Sequence, residues 1–169
     1  AAEWSICYGH LSFVGLVGAS EPSAERILKS IKTAFMTNDL LLEDFPEICY
    51  PLRHMEGKPI KGSNQTHNSV RTAVEWTKNS LVIPTIKGSK ASGSVVAVRG
   101  ITGEIRGMNH TRQDGTKIRP QLAICDDPQT RVSAKSPAQS QVRSQTITSD
   151  IAYLAGPDRP IAVLVPCTV

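Results

Sequence analysis

Asp126 and Asp127 are two carboxylates side by side, directly after a short apolar run, Leu122-Ala123-Ile124-Cys125. Such a run is expected of a strand buried on both faces of a parallel sheet. Pro128, which has no N–H to give a ladder, stops the strand behind them. A buried strand ending in adjacent carboxylates delivers them to the C-terminal edge of an α/β sheet, where such sheets bind ligands. In a nucleotide hydrolase one carboxylate so placed holds Mg²⁺, directly or through water, and the other orients the attacking water. An acidic pair is also what an ordinary polar loop supplies after an apolar strand, so the surrounding elements decide between the two readings.

Those elements follow an α/β order. Residues 1–10 read as the end of a helix, with Trp4, Cys7 and Tyr8 on one face and Gly9 as its cap. No start signal precedes it, as expected of a chain that continues upstream. Leu11 to Val17 reads as a buried strand, broken by Gly18-Ala19-Ser20. Pro22 then sits in the first turn of a helix, where its missing N–H costs nothing. In that helix Ala24, Ile27, Leu28, Ile31, Ala34 and Phe35 repeat at helical spacing, while Glu25, Lys29 and Lys32 are expected to face water. Strand, small-residue turn and amphipathic helix make half of a βαβ unit.

From Asn38 to Pro51 the pattern is a loop with a short helical piece. Residues 53–69 are polar and irregular, and His54 and His67 lack partner spacing for a metal site. Thr72–Trp76 and Ser80–Ile83 read as a hairpin around Thr77-Lys78-Asn79. Gly88 and Gly93 have the spacing of a phosphate loop, but Ser94-Val95 stands where Lys-Ser/Thr would reach the phosphates and the metal. Gly57 to Gly62 fails the same test, so both are turns. Ser94 to Val98 is a further strand, followed by an Arg- and Gly-rich segment, Arg99 to Gly107, and a polar insertion, His110 to Lys117. After the acidic pair, Gln129 to Lys135 reads as a loop. Ser136-Pro137-Ala138-Gln139 opens a polar helix running to about Ser149, with Arg143 exposed. Ile161 to Val165 reads as the last buried strand, ahead of Pro166, Cys167 and Thr168.

The chain has 169 residues, 40% of them hydrophobic and 20% charged, which fits one domain with a real core and excludes a disordered chain. Its net charge of +4 is compatible with a polyanionic partner. Cys7, Cys49, Cys125 and Cys167 never form a CxxC pair, and buried free thiols of a reducing cytosol are expected rather than disulfides or zinc ligands. No apolar run reaches the roughly 18 residues of a membrane span. No signal peptide opens the chain. The expectation is a soluble intracellular domain.

In this order, Val14–Ser20 with Ala24-Glu25-Arg26-Ile27-Leu28, Phe45-Pro46, Gly103–Gly107, Arg119–Asp127 and Val165–Thr168 together resemble the ATPase domain of the phage terminase large subunit, the motor that packages DNA into proheads. The resemblance implies a RecA-like, additional-strand P-loop NTPase core: a mostly parallel sheet flanked by helices, with a β-hairpin insertion. Residues 1–169 then form a partial ATPase domain that begins after the Walker A loop and ends at the coupling motif. ATP and Mg²⁺ are the implied cofactors. Asp126 becomes the Walker B metal-side carboxylate. Asp127 becomes the catalytic carboxylate, at a position where many relatives carry Glu. Thr168 matches the coupling motif. Arg106 matches the Arg-Gly pair ahead of Walker B and is the candidate finger acting in trans, with Arg99 and Arg119 as competitors.

The implied partners are double-stranded DNA, the portal protein, the terminase small subunit and further copies in a homo-oligomeric ring, with no membrane. The implied location is the cytoplasm of an infected bacterial host. Lys87, Lys90 and Arg112 are candidate contacts to DNA backbone, with solvated loop cations as the plainer reading. The family's Walker A loop has no counterpart in these residues, and the nuclease domain expected after Thr168 is likewise absent from them. Two other readings stay open: a nucleotide-independent DNA-binding or scaffold module with a structural acid pair, and a helicase-type ATPase.

Overall fold

Short apolar runs and one long amphipathic helix build a mixed α/β fold. The structure, a computed structural model, describes residues 1–167. In chain order it contains α1 (Ala2–Cys7), β1 (Phe13–Gly18), α2 (Glu21–Thr37), α3 (Asp39–Asp44), α4 (Pro46–His54), α5 (Pro59–Ser63), β2 (Thr66–His67), β3 (Val70–Arg71), β4 (Glu75–Trp76), β5 (Ser80–Val82), β6 (Val95–Gly100), β7 (His110–Thr111), β8 (Lys117–Ile118) and β9 (Leu122–Asp126). Then follow α6 (Arg131–Ala134), α7 (Pro137–Gln145), a π turn (Thr146–Asp150), a 3₁₀ turn (Ile151–Tyr153) and β10 (Ala162–Leu164).

The central sheet has the order β10-β9-β1-β6-β5-β4. β10, β9, β1 and β6 run parallel, and the β4–β5 hairpin adds antiparallel to β6. β9, the strand that carries the acid pair, is therefore interior, with β10 on one side and β1 on the other. The hairpins β2–β3 and β7–β8 stand apart as two-stranded ribbons.

Alternating side chains send the two faces of β1 into two cores, which is why its sequence is an unbroken apolar run. Val14 and Leu16, with Val96 and Val98, pack under Ala24, Leu28, Ile31 and Phe35 of α2. Phe13 and Val17, with Ala97, Ala123 and Cys125, pack under Ile105, Met108, Ile151 and Leu154. Each such large side chain contributes on the order of 1.5–3 kcal/mol when fully buried. Ser20 caps α2 through a capping box with Ser23, and Pro22 occupies its first turn. Glycine lets α2 start hard against the strand ends. A Cβ on Gly100 would stand 2.5 Å from the Glu21 nitrogen, and one on Gly18 2.7 Å from the Ala24 nitrogen.

Several expectations are corrected. The stretch after Asn38 is two helices, α3 and α4: Asn38 caps the first with its side chain, and Pro46 starts the second rather than breaking it. Residues 53–69, expected to be irregular, hold α5 and the β2–β3 hairpin. Lys32 does not face water but is buried, with Nζ donating to the Thr77 carbonyl and lying 4.9 Å from the centre of the Trp76 ring. On α1 only Cys7 of the expected face is buried, while Trp4 and Tyr8 are exposed, Tyr8 stacked with His10 and Trp4 tilted against the same ring. Residues 131–134 form α6 through a second capping box, Thr130 with Ser133. The polar helix stops at Gln145 and widens into the π turn. β10 is not buried, because its outer edge is unpaired among the described residues, and Leu164 and Val165 are exposed.

Candidate functional site

The acid pair sits at the C-terminal rim of the parallel strands. Asp126 is the last residue of β9 and is in register with Gly18, itself in register with Gly100, so the ends of β9, β1 and β6 lie level. Both aspartates are exposed, and Pro128 behind them is buried. The chain reverses at Asp127, whose φ of +40° lies in the left-handed region that Asp tolerates better than most residues. Its N–H donates to the Pro166 carbonyl at 3.1 Å, which ties the acid pair to the segment leaving β10.

Two cavities flank the pair. One, of about 490 Å³, lies between the pair and the start of α2 and includes Ser20, Ser23 and Arg26. The other, of about 770 Å³, opens toward α7 and includes Asp127, Arg131, Arg143, Val165 and Cys167. Asp127, Gln129 and Thr130 border both. Beneath the rim, burial pushes the Cys125 thiol up to about 11, with Cys167 adding to the effect, so at neutral pH Cys125 is an inert core residue.

Arg143 belongs to this site although its sequence context reads as an exposed helical cation. It is half-buried, and Nη1 donates to the Pro128 carbonyl and, at 3.4 Å, to the Ala19 carbonyl. One guanidinium thus bridges the loop after β9 and the loop after β1. The signal available beforehand was its position: an arginine two turns into a capped polar helix that must pack beside the β9 loop. Thr130 and Ser133 fix the next turn, with the Thr130 N–H donating to Ser133 Oγ at 2.8 Å.

The other predicted site residues fall in separate places. Arg106 is not at the acid pair; it is exposed and bound to Asp150 at the end of the π turn, Nη2 to Oδ1 at 2.6 Å. Arg99 is near the rim of β6, level with Val17 and through it with Cys125, and Nη1 donates to its neighbour's carbonyl, Val98 O, at 2.8 Å. Arg119 precedes β9 and is at the opposite edge of the sheet, in a cavity with Pro120 and Ile161. Thr168 lies outside the described residues. Lys87 and Lys90 are exposed on the turn before β6, and His54 and His67 are exposed as expected.

Chemically, the rim offers two carboxylates with an arginine-braced loop. Among the described residues no three His, Cys, Asp or Glu side chains cluster to cage a metal. Mg²⁺ suits this arrangement because it is commonly held by one or two carboxylates, with water and substrate phosphates completing the octahedron. Among the described residues no helix is long and apolar enough to cross a membrane. Compared with models of known protein families and with curated proteins, the chain matches none.

Proposed function

We propose that these residues are an interior part of the ATPase motor of a phage terminase large subunit, hydrolysing ATP to move double-stranded DNA into a prohead. One observation carries the reading: Asp126 and Asp127 emerge together from an interior parallel strand, and the segment following the adjacent strand is hydrogen-bonded to Asp127. Asp126 is the metal-side carboxylate and Asp127 the one that orients water; bound Mg²⁺ would neutralise charge on the transferring phosphate. Thr168 is the proposed coupling residue. The unpaired outer edge of β10 is compatible with a further strand carrying the phosphate-binding loop, which in this reading comes from outside these residues.

The test has two arms. These 169 residues alone are expected to show negligible ATPase activity, because their sequence has no GxxxxGK[S/T] loop to supply the backbone cradle and lysine for a triphosphate. A longer chain that includes a GxxxxGK[S/T] loop upstream of Ala1 is expected to hydrolyse ATP, and to lose that activity in Asp126→Ala. Turnover by the 169 residues that vanishes in Asp126→Ala overturns the first arm. A reading frame with no such loop favours the nucleotide-independent DNA module, and nuclease-type carboxylates downstream separate terminase from helicase.

A further inference from the structure

At the sheet edge opposite the acid pair, the turn before β6 and the β7–β8 hairpin enclose a smaller cavity of about 310 Å³. Thr85, Ser92, Gly93, His110, Arg112 and Asp114 line it. Val95, directly after Gly93-Ser94, is in register with Phe13 at the start of β1, whereas the acid pair lies beyond the strand's far end. The two sites therefore do not overlap.

Arg112 is the unusual member. Its Nε is shielded from solvent and makes no hydrogen bond. The ion pairs formed among the described residues do not include it. Its backbone is fixed in the hairpin, the N–H donating to Thr116 O at 2.9 Å and the carbonyl accepting from Gly115 N at 3.0 Å. A Cβ on Gly93 would sit 3.5 Å from Thr85 Oγ1 and 3.9 Å from Arg112 Nε, so the glycine leaves open the space that both groups border.

A buried N–H of a charged group is costly to leave unsatisfied, and folded proteins answer such groups with water or an ion. Here the surroundings choose between them. The guanidinium fork, the His110 ring and the Thr85 hydroxyl supply donors, and Ser92 Oγ, which accepts from the Ile86 N–H at 3.0 Å, keeps its own proton to give. A donor-rich pocket fits a group with several acceptor oxygens better than a single water. Lys87 and Lys90 on the same turn and Lys117 on the hairpin are exposed and add positive potential. Asp114 opposes them and is also near enough to feel the Arg112 charge, but its carboxylate is exposed to water and is held below the usual range first by the Thr116 N–H, which it accepts at 2.8 Å, and only then by Arg112.

We propose that this cavity binds a phosphate oxyanion, with Arg112 as its principal ligand and His110, Thr85 and Ser92 completing the shell. The phosphate is either the free ion or a phosphodiester of a nucleic-acid backbone. The proposal stands on the cavity and does not depend on the ATPase reading.

Titration of ¹⁵N-labelled protein tests it, with inorganic phosphate as one probe and short duplex DNA as the other, at matched ionic strength in chloride. The backbone amides of Gly93 and His110 and the Arg112 Nε–H are the reporters. Saturable shifts are expected in the native protein, with affinity weaker by about tenfold or more in Arg112→Gln and partly retained in Arg112→Lys. Saturation by phosphate with DNA competing for it assigns the site to nucleic-acid backbone; saturation by phosphate alone assigns it to the free ion. No saturable shift with either probe in the native protein, or equal affinity in Arg112→Gln, overturns the proposal.

Discussion

Arg106 holds Asp150 within its own chain: Nε and Nη2 both donate to Oδ1, at 2.9 and 2.6 Å. The Arg106 side chain is 77% exposed, and a pair so open to water contributes about 0–1 kcal/mol. Arg106→Ala is therefore expected to shift the denaturation midpoint little. In the proposed motor an arginine finger is worth ~10³–10⁵ in rate, so the same substitution in the assembled full-length protein should nearly abolish ATP turnover. Asp150→Asn, which frees the arginine, should not lower turnover. Unchanged turnover in Arg106→Ala would leave the arginine only its tether to the π turn.

Asp127 occupies the left-handed region, and the cost of that conformation depends on the side chain. Asp127→Asn should keep the fold at near-native stability, because Asn tolerates the same backbone. Asp127→Val should cost about 1–2 kcal/mol, because a β-branched side chain meets the carbonyl oxygen there. Chemical denaturation of the two variants compares them directly. Equal stability would mean that the turn relaxes on substitution. In the proposed motor both variants lose hydrolysis, so Asp127→Asn separates chemistry from folding.

Arg143 ties two loops through carbonyls of Ala19 and Pro128. Removing a charged donor from such a half-buried position should cost about 1–3 kcal/mol. Arg143→Ala should raise amide hydrogen exchange in residues 126–130 and at the Gly18-Ala19-Ser20 turn, with β6 unaffected. Lysine, lacking the fork, should restore only part of the protection. Exchange that rises everywhere alike would mark Arg143 as a general stabiliser rather than a brace of the rim.

Lys32 and three thiols give stability opposing dependences on pH. Burial lowers the Lys32 ammonium from its ordinary 10.5 to about 8, with Glu75 partly offsetting the effect. Between those values the unfolded chain binds more protons, so this site's contribution to stability rises with pH. Burial raises Cys7 to about 12 and Cys49 and Cys125 to about 11, from an ordinary 9.0. For the thiols the folded chain keeps its protons longer, so their contribution falls as pH passes from about 9 toward 11. Urea denaturation from pH 7 to 10.5 should show stability falling at the alkaline end, and falling more steeply in Lys32→Met, which lacks the compensating rise. Parallel curves for the two proteins would contradict the burial of Lys32.

Much of the frame was legible because its signals are local. The β9 run with its acidic end, the α2 periodicity and the β4–β5 hairpin each announce themselves within a few residues. What was missed depends on partners distant in sequence. Lys32 reads as solvated until Trp76 and the Thr77 carbonyl close over it. Asn38 to Pro51 reads as a loop with a short helical piece, yet Pro46 starts α4 and Pro51 lies within it. Residues 161–165 have the composition of a buried strand, but burial also requires a neighbour on each side, and composition cannot report that. In the candidate site, the placement of the two aspartates followed from strand and proline alone. The Arg143 bridge did not, since it joins segments more than a hundred residues apart.

The outer side of β10, unpaired among the described residues, also bears on handling the protein. Main-chain donors and acceptors along that side can template an extended segment, and the exposed apolar side chains at Leu164 and Val165 would welcome one. Pro160 and Pro166 bracket the strand and keep this template to a few residues. Concentrated preparations of these 169 residues should accordingly show weak, reversible self-association, suppressed in Leu164→Lys.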